Sequence, residues 1–133
     1  MNGSVRRLCF KLLHADERDA LRKDGVFRGS AVDLADGFIH LSFADQVEET
    51  ARRHFGGREG LWLVAVDCES LGPDLRLEPS RGGDLFPHLY RPLRSTDVAW
   101  ERPLPLRDGR HVFPDRLADA TAGEDPPGAG RAG

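Results

Sequence analysis

The chain alternates between short apolar runs and charged amphipathic stretches, and that alternation predicts its elements. Residues 8–13, "LCFKLL", read as a strand closed by His14. "ADERDALRKDG" follows as a helix, with Asp16 as N-cap, Asp19 three residues on, Gly25 as the stop, and Ala20 and Leu21 toward the core. Residues 26–35 read as loop and 37–43 as a second strand. A helix runs from near Ala44 to Gly56-Gly57, with Val47, Ala51 and Phe55 repeating every four residues. "LWLVAVD" (61–67) is a continuous apolar run, the pattern of a central strand covered on both faces. "LRLEP" (75–79) alternates as an edge or half-buried strand. "RGGDLFPHLY" (81–90) reads as a Gly-Gly turn, a short extended segment and a loop. The prolines of "DVAWERPLPL" (97–106) push that strand to a sheet edge, and "GRHVFP" adds a short strand. The order β-α-β-α-β followed by short strands predicts an α+β fold with a small mixed sheet and two main helices.

Residues 1–7 are read as a loose lead, 8–116 as one domain, and the Ala/Gly/Pro-rich 117–133 as a disordered tail. The 133 residues carry a net charge of −3, which gives no strong signal for nucleic acid or an anionic membrane. No apolar run has the length of a membrane span and no secretory leader is apparent, so a cytoplasmic protein is expected. Cys9 and Cys68 each fall in a predicted strand and read as small buried hydrophobes rather than a disulfide framework.

Candidate chemistry enters where polar residues interrupt apolar strands. In "DGFIHLSFADQ" (36–46), strand parity sends Ile39, Leu41 and Phe43 to a core face and Phe38, His40 and Ser42 to the other. Ser42 fits a helix cap through the spacing Ser42-Phe43-Ala44-Asp45, and His40 fits either a buried structural histidine or a ligand group. His14 occupies the equivalent end of the first strand, so His14 and His40 could grip one ligand between adjacent strands. No HxH or HxxxH pair is present, and no metal is expected. His54 and His111 read as surface residues. "EPSRGGDLFPHLY" gathers Glu78, Ser80, Arg81, Asp84, His88 and Tyr90, either as a binding loop or as a solvated turn with a Glu78–Arg81 ion pair.

These segments resemble a known fold. Leu13-His14, then Asp24-Gly25-Val26, Ile39-His40-Leu41-Ser42, Thr50-Ala51-Arg52-Arg53 and the strand ending at Asp67 are similar in order to the NAD-binding core of ADP-ribosyltransferases, nearest the RNA 2′-phosphotransferase branch. Residues 8–114, and "FPHLY" especially, resemble the DUF952 family of small bacterial proteins, a family grouped with that fold. The resemblance implies an ADP-ribosyltransferase-like small split sheet and NAD as co-substrate, with no metal. It implies catalytic roles for His14, His40 and Asp84, with Ser42 supporting the site. Arg28 and Ser30, together with Glu78, Arg81, His88 and Tyr90, would line the ligand, Arg28 or Arg81 holding phosphate. The chain departs from the transferase pattern in having His14-Ala15-Asp16 for His-Gly-Thr, and Asp84 for a glutamate. The expected function is therefore a NAD-dependent ADP-ribosyltransferase-like or NAD-cleaving enzyme. Two alternatives stand beside it: a non-catalytic module binding a nucleotide or other small ligand, and a small-molecule hydrolase or lyase with His as general base.

Overall fold

A computed structural model describes residues 7–115 and 117. The elements in chain order are β1 (Leu8–His14), α1 (Ala15–Asp24), β2 (Val26–Phe27), α2 (Ala31–Asp36), β3 (Ile39–His40), β4 (Ser42–Phe43), α3 (Val47–Phe55), β5 (Leu61–Asp67), α4 (Cys68–Leu71), β6 (Leu75–Pro79), β7 (Leu85–Leu89), β8 (Leu93–Arg94), β9 (Val98–Pro103), β10 (Leu106–Arg107) and β11 (Arg110–His111). The architecture is α+β. An antiparallel sheet of order β4-β1-β5-β9 forms the centre, and an antiparallel sheet β3-β7-β6 packs beside it. The pairs β2-β8 and β10-β11 complete the strands.

β1 and β5 pair over seven residues, Leu8 opposite Asp67 and His14 opposite Leu61. Both are covered on two faces, which is why their apolar runs are nearly unbroken. One face carries Cys9, Leu13, Val64 and Val66 against Leu21, Phe27, Ile39, Leu41, Phe43, Leu71, Leu89 and Leu93. The other carries Leu8, Phe10, Leu12, Leu61, Leu63 and Ala65 against Val47 and Ala51 of α3, with Leu104 and Leu117. The central strand expected over 61–67 is found there, and β6 and β9 lie at sheet edges as expected.

Several expectations are corrected. Residues 26–35 are not plain loop: Ser30 opens α2, its Oγ accepting the Asp33 N–H at 3.4 Å while Asp33 Oδ2 accepts the Ser30 N–H at 2.9 Å. That reciprocal cap is worth about 1 kcal/mol and is written in the sequence as Ser30-Ala31-Val32-Asp33. α1 begins at Ala15 rather than after an Asp16 cap, and Glu17 Oε1 accepts the His14 N–H at 2.9 Å. Leu21 is buried but Ala20 is exposed. Segment 37–43 is not one strand. Leu41 donates its N–H to the Pro87 carbonyl at 3.0 Å, and Pro87 has no N–H to return, so pairing in that sheet ends and the chain crosses to β1 as β4. The parity nevertheless holds, since Ile39, Leu41 and Phe43 all enter one core. α3 starts at Val47, not Ala44. The segment holding "LFPHL" is a full strand, β7, in the middle of its sheet.

Cys68 opens α4 rather than lying in a strand, and it is disulfide-bonded to Cys9. The β1–β5 register brings their Cα atoms to 6.0 Å across 59 residues of sequence, a proximity no spacing rule reveals. Leu117, read as the start of the tail, is buried in the second core, while the rest of that tail and residues 1–6 lie outside the described residues. Among the described residues no helix is long and apolar enough to cross a membrane.

Candidate functional site

The sheet β3-β7-β6 has one apolar face and one polar, aromatic face. Register pairs Ile39 with Leu89, and Leu75 with Leu89, on the side that joins the core. It pairs His40 with His88, Arg76 with His88, and Glu78 with Phe86 on the opposite side. Cross-strand partners share a face, so these five side chains converge, and Phe38 and Tyr90 extend the same parity.

Two histidines stand at the centre, each tied to a carboxylate. His40 Nδ1 lies 2.6 Å from Asp33 Oδ1, and His88 Nδ1 lies 2.7 Å from Glu78 Oε1. A carboxylate only accepts, so Nδ1 donates in both rings; at His40 the Nε2 also meets a carboxylate, Asp36 Oδ2, and donates to it only while the ring carries both protons. The ring centroids are 5.7 Å apart. Phe38 stacks on His88 at 4.0 Å and sits 4.6 Å from His40 and 5.2 Å from Tyr90. The Tyr90 hydroxyl donates to Glu78 Oε1 at 2.7 Å. The bonds from His88 and Tyr90 hold the Glu78 carboxyl below its ordinary range, and the Glu78 bond raises the Tyr90 hydroxyl. Arg76 lies over the Tyr90 ring and Arg81 over the Phe86 ring, at 4.8 and 4.9 Å.

Behind His40 is a buried ion pair. Lys11 points from the centre of β1 and its Nζ reaches Asp33 Oδ2 at 3.0 Å, Asp33 Oδ1 at 3.3 Å and the His40 carbonyl at 3.0 Å. Burial pushes the Asp33 carboxyl up. The His40 ring, the Lys11 ammonium and the N–H groups of Ser30 and His40 outweigh that and hold it well below the carboxylate range. Burial lowers the Lys11 ammonium, and Asp33 offsets part of the effect. On the outer side His40 Nε2 faces Asp36 Oδ2 at 2.9 Å.

The predicted site residues divide. His40, His88, Glu78 and Tyr90 come together. His14 does not join them. Even-numbered residues of β1 face α3, so the His14 ring packs on Phe55 at 5.5 Å with Nε2 3.4 Å from Arg58 Nη1. Lys11, of opposite parity, is the β1 residue that reaches His40. The expectation that His14 and His40 line one cleft is therefore corrected: they fall on opposite faces of the central sheet. Ser42 is buried and caps no helix; its Oγ bonds Thr50 Oγ1 at 3.1 Å. Arg81 bonds the same Thr50 oxygen at 3.3 Å instead of pairing with Glu78. Asp84 is exposed at the turn before β7. Ser30 caps α2, and Arg28 is exposed ahead of it. His54 is exposed and His111 half-buried, its Nε2 donating to the Arg58 carbonyl at 2.8 Å.

The residues that sequence reasoning passed over are Lys11, Asp33, Asp36 and Phe38. A signal existed for three of them, Phe38 through the strand parity that sets it on the face of His40. Asp33 completes the Ser30 capping box, and Asp36 lies four residues before His40. Lys11 carried a fainter one, as the lone charge inside "LCFKLL". Among the described residues no group of three or more His, Cys, Asp or Glu is arranged to hold a metal ion.

Comparison with known proteins places this geometry. The crystal structure of protein CC0527 from Caulobacter crescentus is 53% identical, with TM-score 0.76, over 79% of this chain and 93% of that one. The solution NMR structure of CC0527 is 52% identical, with TM-score 0.71, over 78% of this chain and 90% of that one. No curated protein matches the chain. A family model described as "Protein of unknown function (DUF952)" matches residues 12–101, a span that takes in Lys11's neighbours on β1 and every residue of the paired-histidine site from Asp33 to Tyr90, and the chain belongs to the DUF952 family.

Proposed function

We propose that the polar face of β3-β7-β6 is the acid–base centre of a small-molecule hydrolase or lyase. One observation carries the reading: two imidazoles in register on adjacent strands, each with Nδ1 on a carboxylate. A carboxylate on Nδ1 fixes ring orientation and stabilises the imidazolium that forms when Nε2 takes a proton. With two such rings, one Nε2 removes a proton from the attacking or reacting atom while the other delivers one to the leaving group. Phe38 and Tyr90 supply the apolar walls. His88 is only 5% exposed beneath Phe38, so productive binding requires Phe38 to turn aside.

The test is a screen of small esters, lactones, phosphodiesters and hydroxy acids against the protein, His40→Ala and His88→Ala. The expected result is turnover with a bell-shaped pH profile that either substitution abolishes. Turnover that survives both substitutions sinks the reading.

A second reading keeps NAD or a related nucleotide as ligand. It is supported by the resemblance at Ile39-His40-Leu41-Ser42 to ADP-ribosyltransferases and by the aromatic surface of Phe38 and Tyr90, on which a nicotinamide or adenine ring could stack. Arg76 and Arg81, on the same side, would face phosphates. In this reading His40 holds the ribose, and His14 takes no part. Incubation with NAD distinguishes the versions: nicotinamide release lost in His40→Ala supports the transferase-like enzyme, and saturable binding without release supports a binding module. Absence of binding at millimolar NAD and ADP-ribose removes both.

A further inference from the structure

Asp33 is 2% exposed, and the partners of its carboxylate are all donors. Its Oδ2 takes the Ser30 N–H at 2.9 Å and Lys11 Nζ at 3.0 Å. Its Oδ1 takes Lys11 Nζ at 3.3 Å, the His40 N–H at 3.0 Å and His40 Nδ1 at 2.6 Å. One carboxylate thus holds His40 by main chain and ring together, while α2 and β1 hold the carboxylate. Two N–H donors from the same residue fix both the position of the Cα and the rotation of the ring. The outer partner is different in kind: Asp36, on Nε2, is half-exposed on a short helix.

We propose that Asp33 is the positioning residue of the histidine site: it keeps the proton on Nδ1 when the His40 ring is neutral, so that Nε2, once its own proton has left and the half-exposed Asp36 has turned away, is the nitrogen presented to ligand, with Lys11 anchoring Asp33 from the sheet beneath. The inference rests on the acid–base reading for its functional meaning, but not for its test. Asp36 accepts from Nε2–H while the ring carries both protons, and competes with ligand for that atom in that state. The charged and titratable groups facing His40 are Lys11 from β1, Asp33 and Asp36 from α2, and His88 from β7, with Glu78 and Tyr90 behind His88.

The experiment is long-range ¹H–¹⁵N correlation of the histidine rings in the ligand-free protein at alkaline pH, where the rings are neutral, with His40→Gln to assign the signal. The Nδ1–H pattern is expected for His40 in the native chain, and a predominant Nε2–H pattern overturns the proposal without any mutant. In Asp33→Asn the Nδ1–H preference should be lost. If folded Asp33→Asn keeps the native tautomer, the proposal fails. Should Asp33→Asn not fold, Asp36→Asn serves: the Nδ1–H tautomer is expected to persist there, and its loss would show Asp36 to be the governing partner. Because the readout is spectroscopic, a screen that finds no substrate counts against the acid–base reading alone.

Discussion

His40 and His88 sit directly opposite each other across the β3–β7 ladder, with ring centroids 5.7 Å apart and a carboxylate on each Nδ1. Symmetric support of two rings separates their roles by environment. His40 is one-third exposed and meets solvent through Asp36, while His88 lies nearly buried under Phe38. The two substitutions should therefore differ. His40→Ala should remove ligand-dependent activity with a change in stability below about 1 kcal/mol beyond the loss of its hydrogen bonds. His88→Ala should also cost about 2–3 kcal/mol, because it empties packed space under Phe38 and leaves Glu78 with the Tyr90 hydroxyl as its remaining side-chain donor. Urea denaturation of both variants beside an activity or binding assay separates the effects.

The Lys11–Asp33 pair predicts an asymmetry between single and double substitution. Lys11→Met leaves the buried Asp33 without its cation and should destabilise by about 3–5 kcal/mol. Lys11→Met combined with Asp33→Asn removes both charges and should cost less than the sum of the single changes, a coupling read from urea midpoints at fixed m-value. Additive costs would mean that the pair does not interact.

Acid stability follows from Asp33. Its folded carboxyl titrates well below the ordinary 3.8 that it regains on unfolding. The unfolded chain therefore takes up the proton first, and falling pH favours unfolding. The contribution is complete above the unfolded value and is lost as pH drops through the folded one. Asp97, held down by Arg91 and the Arg94 N–H against the opposing effect of burial, acts in the same direction. Thermal melts between pH 6 and pH 2 (roughly the span over which carboxylates titrate) should show a shallower decline in Asp33→Asn than in the native chain. Equal slopes would contradict the assignment.

The Cys9–Cys68 disulfide closes a loop with a sequence separation of 59, and the chain-entropy relation assigns such a bridge about 4 kcal/mol. Reduction, or Cys9→Ala with Cys68→Ala, should lower the urea midpoint accordingly. The His40 ring contacts Asp33, Asp36, Phe38 and His88 rather than either half-cystine, so ligand binding should be retained. A denaturation curve unchanged by reductant would show that the bridge contributes nothing.

Much of the frame was legible in the sequence. The apolar run 61–67 marked a central strand because a strand covered on two faces needs no polar alternation, and the four-residue repeat of Val47, Ala51 and Phe55 marked α3 because an amphipathic helix must keep one stripe inward. The parity of Ile39, Leu41 and Phe43 was also legible, since alternation is local and survived the break at Leu41. His40, Glu78, His88 and Tyr90 were visible as polar residues set among apolar anchors.

What only the tertiary structure decided is which of those residues meet. The sequence put His14 and His40 at like positions on successive strands. The faces of β1 instead turn His14 toward α3 and send Lys11 to His40. Pro87, able to accept but not donate, moved the chain after His40 into another sheet and left Ser42 with Thr50. The β1–β5 register joined two cysteines that spacing kept apart. Periodicity is a property of neighbours along the chain, and so it is written there. Register and crossover depend on hydrogen bonds between distant segments, and those set the histidine pair, its buried lysine and its carboxylates in place.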